Sequence, residues 1–173
     1  DEDVRAYCPT DGTFISMDGT GSDIRYQIGI RNRGGGSRDI LPNNYRINFG
    51  NFNAWHNGEV DLSLNGVYSA DEVIGSALAA RAGVPAQWAT PVQVRVNNVN
   101  HASSTQGMFG SYSYVEVEDQ TFVTSHFPTD DNGNYYRGVD GVNHNARLQY
   151  STDITSYETL YPKENNKEAN DYT

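Results

Sequence analysis

The sequence predicts an α+β fold, a mostly antiparallel sheet with one or two packed helices. Three observations carry that reading. Short runs alternate apolar and polar residues, the period of a half-buried strand. One segment, about 70 to 82, has helical spacing with start and stop signals. The connections are rich in Gly, Asn and Asp, the residue types that turns require.

The first twenty-odd residues read as irregular or edge-strand structure, with Asp11-Gly12 and Asp18-Gly19 as turn signals. A clear strand follows, in which Ile24, Tyr26, Ile28 and Ile30 are expected on one face and Arg25, Gln27, Gly29 and Arg31 on the other. Tyr45, Ile47 and Phe49 repeat the alternation beyond a Gly-rich connection, so an antiparallel pair is expected. Val60, Leu62 and Leu64 form a third short run. Ser69 can cap the helix, Asp71 and Glu72 suit the positive end of its dipole, and Gly83 with Pro85 stops it. Small residues (Gly75, Ser76, Ala79, Ala80) would let it lie close against a sheet. Val92, Val94 and Val96 alternate, as do Tyr112 and Tyr114, with a long polar hairpin loop at 97–106 between them. A short helical turn fits within 118–127, and Asp130 to Asn134 reads as a turn. Ile28, Ile30, Ile47, Val94 and Leu78 are expected to share one core. Residues 1–150 then form a single α+β domain, and 151–173 a polar C-terminal segment or the start of a further lobe.

A chain of 173 residues can bury a sizeable core without metal or disulfide, and the lone Cys8 offers neither an internal disulfide nor a redox pair. The net charge of −10 repels polyanions, so nucleic acid is a poor partner. No stretch approaches the ~20 apolar residues of a membrane span. The start at Asp1 and the absence of an Asn-x-Ser/Thr sequon lean toward a processed bacterial protein, extracellular or at the cell surface.

Chemistry is sparse. The loop Arg33-Gly34-Gly35-Gly36-Ser37-Arg38 has glycines that let backbone N–H groups approach a phosphate, with Ser37 and arginines as side-chain donors. It lacks the Gly-Lys-Ser/Thr of a Walker loop. By itself such a loop is more often a flexible hairpin connection, and Arg31, Arg33 and Arg38 are either an anion patch or solvated loop arginines. Glu116 lies in an aromatic strand, where it either faces water or is buried against a cation such as Arg46 or Arg31. The four histidines show no metal-ligand spacing. The acidic turn at 130–134 lacks the ligand spacing of a calcium loop.

The order of these motifs resembles the spore-coat CotH kinase-like family. The segments that carry the resemblance are Ile28 to Ser37, then Pro42-Asn43-Asn44-Tyr45-Arg46-Ile47, the helix ending in Gly83-Val84-Pro85-Ala86, and Val92 to Asn98. Gly110 to Asp119, Phe122, His126-Phe127 and Gly133-Asn134-Tyr135-Tyr136-Arg137 continue it, so that it runs in order from about 24 to 137. Asn43, Asn44 and Arg137 stand where the family has lysines. The resemblance implies the N-terminal part of an atypical protein-kinase-like fold that uses ATP and Mg²⁺ to phosphorylate serine on a protein substrate or surface-assembly partner. It makes Arg33, Gly34, Gly35, Gly36, Ser37, Arg46 and Glu116 the nucleotide-binding candidates, with Arg46 and Glu116 within salt-bridge reach. The family's catalytic and metal-binding acids lie in a later segment, so the chain alone is expected to be inactive. The alternative is a non-catalytic extracellular module that recognises carbohydrate or protein through Tyr/Asn/Asp-rich loops.

Overall fold

The computed structural model describes residues 9–34, 37, 40–100, 110–141 and 144–167. The chain divides into two compact units, Asp1–Val117 and Glu118–Thr173. The first is a six-stranded antiparallel sheet with one long helix. Its strands are β1 (Thr10–Asp18), β2 (Gly21–Asn32), β3 (Tyr45–Asn48), β4 (Asp61–Asn65), β5 (Ala89–Gln93) and β6 (Ser111–Val115), in the order β1-β2-β3-β4-β6-β5. The helix α1 (Ser69–Arg81) joins β4 to β5. This is the α+β class that the sequence implies.

β1 and β2 form a hairpin turned at Asp18-Gly19, where the Asp18 carboxylate accepts from the Thr20 N–H at 2.7 Å and the Gly21 N–H at 3.2 Å. The second expected turn, Asp11-Gly12, is instead continuous strand. Gly12 serves close approach there, since a Cβ would lie 2.7 Å from Ile30 Cδ1. Between Gly12 and Phe14 the register slips, because Gly12 pairs with Ile28 while Phe14 pairs with Arg25. The extra residue falls on β2, where Gln27 has a φ of +55°. A bulge of this kind reverses which side chains face inward. Ile28 is fully buried, whereas Ile24 and Tyr26 turn to solvent, Tyr26 being 66% exposed. The four were expected on one face, and the bulge separates them. Arg25 takes the inward place and lies over the Trp55 ring at 5.3 Å.

The core gathers on one sheet face. Ile28, Ile47, Phe49, Trp55, Leu62, Leu64 and Tyr112 are buried together, with Phe14, Ile30, Tyr45, Val92, Val94 and Tyr114 against them. Phe49 and Trp55 stack, and Phe14 meets both edge-on. Leu78 does not join this core and is 62% exposed. The reason is that α1 lies on the other face of the sheet. Its contacts there are polar: Ser69 Oγ donates to the Ser111 carbonyl, Ser76 Oγ accepts from the Ala89 N–H, and Glu72 accepts from Ser113. Ser69 therefore does not cap the helix; Tyr68 occupies that position. The far end closes as expected at Gly83, φ +71°, with Val84 N–H bonded to Ala79 O and Gly83 N–H to Ala80 O. The β5 strand leads to a tight turn at Asn97-Asn98, both at positive φ and closed by two Val96–Val99 bonds; residues 101–106 of the expected loop lie outside the described residues.

The second unit holds α2 (Gln120–His126), the two-residue strands β7 (Asp140–Gly141) and β8 (His144–Asn145), and α3 (Ile154–Leu160). Asp119 caps α2 and Asp153 caps α3 through their carboxylates. The stretch from 163 reads as polar, yet Lys163 and Asn165 are buried. Asn165 is satisfied on every side, donating to Gly133 O and Gln120 Oε1 and accepting from the Tyr135 N–H.

Candidate functional site

At one end of the sheet the β2–β3 connection meets the β4–α1 connection, and an open cleft of about 260 Å³ lies between them. Arg33, Gly34, Ser37, Ile40, Asn44, Asn65, Val67, Tyr68 and Glu72 line it. Arg33, Gly34 and Ser37 of the Gly-rich loop thus stand at a cleft edge. Gly35 and Gly36 lie outside the described residues.

Two side chains fix the geometry. Asn44 is 7% exposed; its Oδ1 accepts from the Gly66 N–H at 2.8 Å and its Nδ2 donates to Ser37 Oγ at 3.1 Å. It ties the loop to the β4–α1 connection. Gly66 has no room for a side chain there, because a Cβ would stand 2.8 Å from Pro42 Cγ and from the Tyr112 ring. The Tyr112 hydroxyl donates to the Asn43 carbonyl and anchors the loop from below; burial pushes its ionisation far above the ordinary tyrosine range. Asn65 is the second fixing residue. Its Oδ1 accepts from Arg33 at 3.2 Å, and its Nδ2 donates to Glu72 Oε1 at 2.7 Å. Ser113 holds the other Glu72 oxygen. A guanidinium, an amide, a carboxylate and a hydroxyl form one continuous chain from the cleft to the sheet.

The remaining candidates are elsewhere. Arg46 pairs with Asp61 at 3.0 Å, not with Glu116. Arg46, Ser63 and Val115 share one row across β3, β4 and β6, so alternation places Glu116 on the opposite face. There Glu116 is buried, and its carboxylate accepts from the Trp88 N–H at 3.3 Å. Glu59 is buried near it and accepts from the Tyr114 hydroxyl. Burial first, and then the Glu59 hydrogen bond and charge, raise the Tyr114 pKa far beyond the usual range. Arg137, in the second unit, pairs with Glu164 at 2.8 Å. Among the described residues no group of three or more His, Cys, Asp or Glu side chains is arranged to hold a metal ion.

Ile40, Asn65, Val67 and Tyr68 are cleft residues that the motifs do not single out, while Asn44 enters them only as a position where the resembled family has lysine and Glu72 only as a dipole partner of the helix. The one available signal is spacing: Asn65-Gly66 precedes the helix start, and Glu72 falls in its first turn.

The cleft's donor set suits an oxyanion. Arg33 supplies a planar cation, Ser37 a hydroxyl, and Gly34, at φ +113°, a backbone that can come close to an oxyanion. Glu72 opposes an anion, but two donors already engage its carboxylate. No protein-family model matches the chain, and no curated protein matches it.

Proposed function

We propose that the unit Asp1–Val117 is the nucleotide-facing part of an atypical protein-serine kinase of the CotH type, working at a bacterial cell surface. The observation that carries the reading is the chain Arg33–Asn65–Glu72 at the mouth of a Gly-rich loop. Kinase folds hold a phosphate-facing cation in place through a glutamate on the helix beside the sheet. Here an asparagine bridges the two.

In this reading ATP is the phosphate donor and a protein or surface-assembly partner the acceptor. Arg33 and Ser37 meet the phosphates, and Asn65 and Glu72 orient Arg33. Magnesium supplies charge neutralisation across the phosphates when present. The net charge of −10 opposes a polyphosphate, so binding is expected to be no tighter than high micromolar.

Calorimetric titration with ATP, with and without Mg²⁺, tests the reading. Binding that strengthens with Mg²⁺ and disappears in Arg33→Ala supports it; no heat at millimolar nucleotide rejects it. One observation favours the second reading, a non-catalytic surface module. Ile15, Met17, Ile24 and Tyr26 lie together on the outward face of the β1–β2 hairpin, exposed, and an apolar patch of that kind marks contact with a partner. A chain that binds no nucleotide but retains a protein or glycan through that hairpin, lost in Tyr26→Ser, would favour it.

A further inference from the structure

Tyr68 is the cleft residue that local structure explains least. Its backbone sits at φ +58°, ψ +30°, a left-handed conformation that sterics disfavour for any residue with a Cβ. It holds the N-cap position of α1, its carbonyl accepting from the Asp71 and Glu72 N–H groups, yet its side chain makes no capping bond. Asn, Asp or Gly would serve there with less strain. The ring is 73% exposed and gains little from burial. What the conformation does achieve is placement, because Tyr68 lines the same cleft as Val67, Ile40, Arg33 and Ser37. Strain retained at a site, with no local return, points from the backbone to function.

The lining is therefore of two kinds. Tyr68, Val67 and Ile40 are aromatic and aliphatic, while Arg33 and Ser37 are the cation and hydroxyl that an anion can meet. A ligand matched to both kinds carries a flat ring and an anionic tail. We infer that Tyr68 is the platform on which the nucleobase stacks, so that the site discriminates a nucleoside polyphosphate from a bare polyphosphate. The inference rests on the nucleotide reading above and adds the residue that reads the base.

Two variants and two ligands separate the possibilities. Tyr68→Asn tolerates the left-handed backbone and can cap the helix, so it is expected to melt no lower than the parent. Tyr68→Phe keeps the ring. In calorimetry, Mg-ATP affinity should fall about tenfold in Tyr68→Asn, the loss typical of one stacked base, and stay unchanged in Tyr68→Phe. Mg-tripolyphosphate should bind the parent and both variants alike, and bind the parent more weakly than Mg-ATP does. Equal Mg-ATP affinity in the parent and Tyr68→Asn overturns the platform while leaving the nucleotide reading intact. Failure of the parent to bind either ligand overturns both. Adenosine binding should broaden the Tyr68 ring resonances; a soluble oligosaccharide doing so instead would assign the ring to sugar stacking and overturn the inference.

Discussion

Removing the Asn44 side chain should loosen the cleft more than its small size suggests. The Asn44→Ala variant leaves the Gly66 N–H, which it accepts from at 2.8 Å, without its acceptor in a tight site. An orphaned buried donor costs about 1–3 kcal/mol. Ser37 Oγ loses a donor as well, but it is half-buried and regains water. A net loss of about 2 kcal/mol follows. With a urea slope of about 2 kcal/mol/M, the midpoint should fall by about 1 M, and the Gly66 amide should exchange roughly thirtyfold faster. Asn44→Asp is the informative partner. Its carboxylate can still accept from Gly66, and the Ser37 hydroxyl can rotate to donate, but a charge is buried. It should retain Gly66 protection while losing overall stability. If Asn44→Ala shifts the midpoint by less than about 0.2 M and leaves the Gly66 amide protected, the latch does not hold the cleft together.

Three further outcomes follow from the same geometry. Gly66→Ala forces a Cβ to 2.8 Å from Pro42 and the Tyr112 ring, and should cost about 1–3 kcal/mol in denaturant unfolding; an unchanged midpoint would contradict the close approach. Leu78→Lys should change stability by no more than about 0.5 kcal/mol, because the site is on the water side of α1, and a loss of about 2 kcal/mol or more would return Leu78 to a core. Tyr135 is pushed up to about 12, by burial first and then by the Glu118 charge and hydrogen bond. Its contribution to stability is complete below the unfolded tyrosine range and is lost as pH rises from about 10 to about 12. Absorbance titration near the tyrosinate band should show a late-ionising component that Tyr135→Phe diminishes.

The elements that periodicity could announce were legible in the sequence. Ile28 with Ile30, Ile47 and the Leu62/Leu64 pair alternate because one face is dry, and α1 ends at Gly83 because only a residue without a Cβ adopts φ +71° cheaply. The bulge at Gln27 was not legible, since one left-handed residue reverses a strand's inward set without breaking its apolar pattern. The face of α1 was hidden for a related reason. Its sheet contacts run through Ser69, Glu72 and Ser76; Ser76 is one of the small residues expected against the sheet, whereas Ser69 and Glu72 read as a cap and a dipole partner. The site divides in the same way. Glycines and arginines mark Arg33, Gly34 and Ser37, whereas Asn44 and Asn65 look like ordinary loop residues until their partners are in place. Asn165, buried and fully bonded in the second unit, repeats the lesson.

The first unit's sheet has two unlike faces, and the difference bears on function. The aromatic face has what stability needs, interlocked rings and aliphatics buried together. The helix face has Ser63 and Ser113 fully enclosed and a glutamate held by an asparagine and a serine. Apolar residues of similar volume would pack at least as stably there, because a polar cluster must first be stripped of water. What such a cluster supplies is position, since each member is oriented by bonds with fixed directions. The cluster runs outward from Ser113 through Glu72 and Asn65 to the guanidinium of Arg33, and ends at the cleft. A cation held in this way is set in place before any ligand arrives, which removes a cost that a mobile surface arginine would incur on binding. Polar order on the helix face and strain at Tyr68 therefore meet at the same opening.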